Sequence, residues 1–338
     1  MVDTGLQTER ILRGWRRVLE RSPAIGLLPI LLVLLFIFFG LYEPKFWRTA
    51  NLINVLRNSS YLMIISAGQM MVLIIGGFDL SVGAVVALTS VAAGLVMADL
   101  YSMWPDAASL AIVIGLAVGL AVGSAIGAIN GITVAVLRVS PFMVTLGTMS
   151  IAFGVALYVT RGVPVYGLPD EFTREFGRLR WFKVPVVVYL TAGVIVMLWW
   201  VMNWTRLGRY IYAIGGNLQA SRVSGIPTLA YIVITYTMCS FLAAVTGVLL
   251  TARVGSGEAT LGTTLMLESI AAAVIGGVSL RGGVGRVELV ALGALFLSLV
   301  TNGMNLLRVD SKIQTIVIGA VLIIAVGLDQ MKIKGRGQ

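Results

Sequence analysis

With 58% hydrophobic and 12% charged residues among 338, and a mean hydropathy of +0.95, the chain carries more apolar surface than a soluble globule of its size can bury, so lipid must solvate much of it. A net charge of +10 would suggest nucleic acid as a partner in a soluble protein, but here Lys and Arg fall between apolar runs, where they set orientation in a bilayer. The absence of His and the single Cys, Cys239, exclude disulfides, Cys/His metal sites, a Cys–His dyad and a histidine proton relay.

The N-terminus places Arg10, Arg13, Arg16, Arg17 and Arg21 ahead of the uncharged run 24–42, which leads into Glu43-Pro44-Lys45 and not into a small-residue cleavage site. This is the pattern of a retained first span. Further runs at 58–78, 80–98, 107–137, 139–160, 184–205, 223–252, 269–280, 289–307 and 313–328 make about ten candidate transmembrane helices, each needing about 20 apolar residues. Only 269–280 is clearly short; it reads either as a tilted span reaching back past Glu268 or as a re-entrant element. With the basic N-terminus 1–23 in the cytoplasm, ten crossings return the tail with Lys332, Lys334 and Arg336 to the same side, and the cytoplasmic segments then hold the larger share of Lys and Arg. The chain therefore reads as one all-α polytopic membrane domain over 1–338, without a soluble domain, a low-complexity tract or a phosphate cradle of the Gly-x4-Gly-Lys-Ser/Thr type.

Between the second and third runs lies Ile75-Gly76-Gly77-Phe78-Asp79-Leu80-Ser81-Val82-Gly83. A carboxylate left at mid-membrane costs at least ~2.5 kcal/mol, so Asp79 needs water or a structural partner. Two roles fit: Asp79 or Ser81 caps the span that begins near Val82, or both line or gate a pathway. A similar pattern, Ile275-Gly276-Gly277-x-x-Leu280-x-x-Gly283, recurs 200 residues later, as chance or an old duplication would produce it. Asn130, Thr145, Thr148, Asn302 and Asn305 lie in or near spans, either as hydrogen-bonding glue between helices or as the sparse polar groups of a translocation pathway. Gly115, Gly119, Gly123 and Gly127 form one small face for close helix approach, and Trp199, Trp200 and Trp204 read as an interfacial belt.

The chain resembles the ribose/galactose-type sugar permeases of bacterial ABC importers. The likeness is carried by Asn51 to Arg57, Gly77 to Gly83, Asn130-Gly131, Pro141 to Met149, Gly208-Arg209-Tyr210, Ile214 to Asn217, Ala220-Ser221, Ser224 to Ile226, Ile270 to Gly277 and Asn302 to Leu306, in order along nearly the whole chain. Phe78 and Arg281 depart from the common pattern. The resemblance implies a vitamin-B12-importer-like permease fold in the bacterial inner membrane and a non-enzymatic transport subunit for a monosaccharide or related polyol. It also implies as partners a second permease copy or homologue, two nucleotide-binding domains that hold ATP and Mg, and an external sugar-binding protein. The cytoplasmic loop 204–228 would then couple to the ATPase through Arg209, Gly215, Gly216, Asn217, Ala220, Ser221 and Gly225; on its residues alone it is a basic loop with a short helix ended by Ser224-Gly225-Ile226-Pro227. The rival is an ion-coupled secondary transporter, for which Asp79, Glu268 and Glu288 are the available carboxylates.

Overall fold

A computed structural model of the chain describes residues 23–334. The N-terminal arginines and Arg336 lie outside the described residues. The protein is almost entirely helical: α1 (Pro23–Tyr42), α2 (Thr49–Ile74), α3 (Val82–Met103), α4 (Ala108–Ala135), α5 (Pro141–Thr160), α6 (Val186–Trp204), α7 (Arg206–Gly216), α8 (Leu218–Val223), α9 (Thr228–Val254), α10 (Leu265–Ile275), α11 (Val287–Leu306) and α12 (Ser311–Lys334). Among the described residues, six helices are long and apolar enough to cross a membrane, namely α3, α4 with the short turn before it, α5, α6, α9 and α11. Leu28–Tyr42, Leu265–Ile275 and Ser311–Ile324 are shorter apolar helices. The run 269–280 is helical only to Ile275, and α10 begins four residues earlier, at Leu265, taking Glu268 into its first turn.

Loop chemistry sets where the helices stop. Pro44 opens a single 3-10 turn after α1, with Glu43 accepting from the Lys45 amide at 3.0 Å. The long connection 161–185 folds back on itself: Arg180–Trp181 pairs with Val184–Pro185 across a two-residue turn, and both turn residues, Phe182 (φ 48°) and Lys183 (φ 68°), are left-handed, as the tight primed hairpin turn requires. Val165 bridges to Gly257, so this connection packs against the loop that follows α9.

Helix α9 is central, lying against α2, α3 and α4. The glycine face of α4 makes this possible. A Cβ at Gly123 would overlap Ala244, and one at Gly127 would come 2.6 Å from the Tyr236 carbonyl of α9, while Gly119 sits against Ala93 and Thr89 of α3. Dispersion between backbones at this separation, in place of side-chain interdigitation, holds the three helices together.

The two Ile-Gly-Gly segments end their helices alike. After α2 the amides of Gly76 and Gly77 bond back to the carbonyls of Leu73 and Val72; after α10 those of Gly277 and Val278 bond to Val274 and Ala273. Each is a Schellman close, with the left-handed residue at Gly76 (φ 79°) in one and Gly277 (φ 82°) in the other. The second glycine of one segment thus does the work of the first glycine of the other, one residue out of step with the alignment of the sequences.

Candidate functional site

The loop between α2 and α3 brings Asp79 into the protein. Asp79, Ser81, Asn130 and Thr145 are fully buried. Ser81 donates both its amide (2.9 Å) and its hydroxyl (2.5 Å) to Asp79 Oδ1. Asn130 Nδ2 on α4 donates to Ser81 Oγ at 2.9 Å, and Thr148 on α5 donates to Asn130 Oδ1 at 2.6 Å. One chain of hydrogen bonds therefore runs from the α2–α3 loop across α4 to α5. Thr145 donates to the Pro141 carbonyl at 2.8 Å and lies 3.5 Å from the Phe78 carbonyl, which also accepts from Tyr236 Oη of α9 at 3.3 Å.

The capping expectation is not met. Ser81 stands at the N-cap of α3 with helical backbone angles and makes no side-chain cap, and Asp79 bonds the amide two residues on, which makes it the acceptor of an Asx turn. Its role is to fix the loop geometry ahead of the helix. Asp79 Oδ2 is buried beside Ser240 of α9, whose hydroxyl is buried too, and neither atom bonds to any other group among the described residues.

Exchange at Asp79 separates geometry from charge. Asp79→Asn keeps an acceptor for the Ser81 amide and should fold and melt near the wild type, whereas Asp79→Ala strands two buried donors and should cost about 1–3 kcal/mol. Thermal melting of the purified variants measures this. Equal losses for Asn and Ala would assign the role to the negative charge.

Asn302 and Asn305 do not join this cluster. Asn302 exchanges amide hydrogen bonds with Asn51 (2.8 and 3.1 Å), tying α11 to the start of α2, and Asn305 Oδ1 accepts from Gln314 of α12 at 2.8 Å. Both lie at the end of the bundle opposite Asp79, where α2 and α12 begin and α11 ends.

At the Asp79 end sits the loop 204–228. Thr205 caps α7 by accepting from Gly208 N, and Gly208, Ile211 and Ile214 face inward while Arg206 and Arg209 are exposed. Asn217 breaks the helix at φ −160° and caps α8 by accepting from Ala220 N at 2.9 Å. Gly225 (φ 80°) ends α8 in a third Schellman close, with Ile226 N bonding to Ser221 O at 3.1 Å. Ser221 is buried, whereas Asn217, Leu218 and Ala220 are exposed and Val223 is 90% exposed. The surface open to a partner is this outer face.

Gly215 points the other way. A Cβ there would overlap the Ile74 carbonyl at the end of α2 and lie 2.7 Å from Gly283 N; that same amide donates to Ile74 O at 2.8 Å. Tyr212 Oη donates to Gly285 O at 2.7 Å, and burial, reinforced by the Glu288 carboxylate, pushes its pKa up, so it stays a protonated donor. Three backbone segments, the ends of α7 and α2 and the loop 279–286, thus meet without intervening side chains. A cavity of about 410 Å³ beside them is lined by Gly76 and Gly77, by Tyr236, by Arg138, and by Leu218 and Arg222 of α8 and its end. The exposed helix and the Asp79 loop share one end of the bundle and are joined through the end of α2.

Tyr212, Tyr236 and Gly282 did not stand out in the sequence, and Gly283 did so only as part of the repeated glycine pattern, because tyrosine and glycine are common in lipid-embedded helices and neither spacing nor composition marks which of them meet. Asn51 is part of a motif but gives no sign of its partner, 251 residues away.

Sequence comparisons place the chain in a family. Residues 51–326 match the family model described as branched-chain amino acid transport system / permease component. The chain belongs to this permease family. Among curated relatives, it is 38% identical to the ribose import permease protein of Escherichia coli K12 over 95% of this chain and 96% of the relative. It is 36% identical to the D-allose transport system permease protein of the same strain (89% and 90%) and 34% identical to its L-arabinose transport system permease protein (91% and 90%). No solved structure matches the chain. The family model spans the Asp79 loop, the hydrogen-bonded chain to Thr148 and the whole of α7 and α8.

Proposed function

We propose that this permease is the membrane-spanning subunit of an ATP-binding cassette importer that carries a monosaccharide or related polyol into the cytoplasm of a bacterium. The observation that carries the reading is the pairing of the exposed α8, through α7, with the loop of Asp79 at the Ile74–Gly215–Gly283 junction. A partner pressing on α8 moves the end of α2 through α7, whose Gly215 lies against Ile74, and with it the loop that anchors the hydrogen bonds to α4 and α5. ATP and Mg belong on two nucleotide-binding domains, and tight sugar recognition on an external binding protein, so that the permease itself binds weakly and releases. A second permease copy or homologue completes the membrane pair.

Ten crossings in a vitamin-B12-importer-like arrangement follow if α2, of 26 residues, and the three shorter apolar helices span along with the six long ones. Both ends of the chain are then cytoplasmic, α8 and Asp79 lie on the inner side, and the 161–185 connection outside. In a Cys239→Ser background, thiols placed at Arg174 and at Lys334 should label with a membrane-impermeant reagent from opposite faces of oriented vesicles. Labelling of both from the same face refutes ten crossings.

Reconstitution with the ATPase and binding protein tests the function itself. Labelled D-ribose, D-allose or L-arabinose should accumulate only with hydrolysable ATP and persist when ionophores collapse every ion gradient. Ionophore-sensitive, ATP-independent uptake would point to the ion-coupled alternative. Of the carboxylates open to that alternative, Glu288 is bound to Arg286 (2.5 Å) and Asp79 is committed to Ser81.

A further inference from the structure

At the end of the bundle opposite α8, a second cavity of about 210 Å³ opens between α2, α9, α10 and α11. Asn58 and Tyr61 come from α2, Arg253 from the last turn of α9, Glu268 from the first turn of α10, and Thr301 and Asn302 from the end of α11, over a floor of leucines. We propose that this cavity is a subsite for one neutral polyol of monosaccharide size, met by the transported molecule before it reaches the Asp79 loop. The inference rests on the permease reading above and gives it a place of first contact.

Three of the walls are already fixed by their own neighbours. Arg253 Nη1 donates to Asn58 Oδ1 at 2.6 Å, and its guanidinium carbon lies 5.5 Å from the centre of the Tyr61 ring. Asn302 is held by Asn51. Tyr61 is the exception: it is only 3% exposed, it lines the cavity, and its buried hydroxyl, which has the Arg253 guanidinium as a neighbouring donor, gives its own proton to no acceptor among the described residues. An unmet buried hydroxyl costs free energy unless something fills its valence, and a ligand hydroxyl, which donates and accepts, does so in either orientation.

Charge narrows the ligand class. Arg253 and Glu268 line the same small space with opposite signs, so an anion or a cation is attracted by one and repelled by the other. A neutral molecule with several hydroxyls satisfies both, accepting from the guanidinium and donating to the carboxylate. Size narrows it further: the cavity falls short of the roughly 300 Å³ at which pockets for drug-sized ligands begin, which suits one sugar ring and not two.

The test uses the assembled importer. Cys239 is buried and is the only cysteine, so a Cys239→Ser, Thr301→Cys permease carries one thiol in the cavity, and Ser298→Cys serves as a second probe of the same wall. D-Ribose, D-allose or L-arabinose should slow alkylation of that thiol by an impermeant maleimide at least about threefold, and maltose should not. Adding Tyr61→Phe, which keeps the ring under Arg253, should raise the half-protecting sugar concentration about tenfold, the loss of one hydrogen bond, and leave alkylation without sugar unchanged. Absence of protection at both thiols in preparations that take up the same sugar would overturn the subsite and leave the permease reading standing. So would equal protection by maltose, or a half-protecting concentration that Tyr61→Phe does not move. Absence of ATP-driven uptake of all three sugars would overturn the permease reading, and the subsite with it.

Discussion

Gly215→Ala should unfold the junction at the base of α8, while Gly216→Ala, one residue on, should be silent. At Gly215 the added methyl meets the carbonyl oxygen of Ile74 and the amide of Gly283, both backbone and neither able to rotate away; at Gly216 nothing lies within 4 Å of the new carbon. Overpacking against flexible side chains costs about 1–3 kcal/mol, and a backbone obstacle belongs at or above the upper end of that range. Relief requires α7 to withdraw from the end of α2, or the Ile74 carbonyl to shift and lose its bond from Gly283 N. Thermal melting in detergent should therefore show a fall of several degrees for Gly215→Ala, with uptake lost in parallel, and no shift for Gly216→Ala. Matching melts for the two variants would mean that α7 and α2 do not approach one another in this way.

The second large effect is functional and leaves folding untouched. Ala220 is exposed on the outer face of α8, and the helix is secured from below by the Asn217 cap and by buried Ser221, so Ala220→Trp adds bulk only on the face proposed to meet the ATPase. The variant should insert, melt like the wild type and fail to co-purify with the ATPase, with uptake reduced to background. Gly225→Trp is a poorer probe: Gly225 sits at φ 80°, where any side chain brings about 1–2 kcal/mol of backbone strain in addition to its bulk. Wild-type association and uptake in Ala220→Trp would remove α8 from the coupling mechanism.

Much of this architecture was legible in the residues. Uncharged runs marked the apolar helices because leaving charges in lipid is costly, and boundaries fell close where Pro or Gly stopped the chain, as at Pro141 and Tyr42. They slipped where charge and helix ends disagree. The run taken to start at 58 belongs to a helix that begins at Thr49 and carries Arg57, and the run taken to start at 269 belongs to one that begins at Leu265 and carries Glu268. An arginine in the third turn or a glutamate in the first interrupts a hydropathy pattern without interrupting a helix. The polar residues were found as types but not as a group: Asp79, Ser81, Asn130 and Thr148 join in one chain, and Asn302 and Asn305 serve helix contacts far from it. Side-chain chemistry says what a residue can bond, and only tertiary distance says to what. Within 204–228 the short helix ahead of Ser224-Gly225-Ile226-Pro227 was legible and stands as α8, whereas the inward-facing α7 before it was hidden, since its basic residues read as an ordinary loop.

The meeting of Ile74, Gly215 and Gly283 has a genetic consequence. When a substitution collides with a side chain, a second change that trims that side chain restores the fit, and suppressor screens find it. Here the collision is with peptide groups, which every amino acid possesses, so no exchange at position 74 or 283 can make room for a methyl at 215. Revertants of a defective Gly215 variant should be true reversions to glycine, or changes at a distance that loosen the whole helix end, and paired variation among these three positions should be absent from the pool.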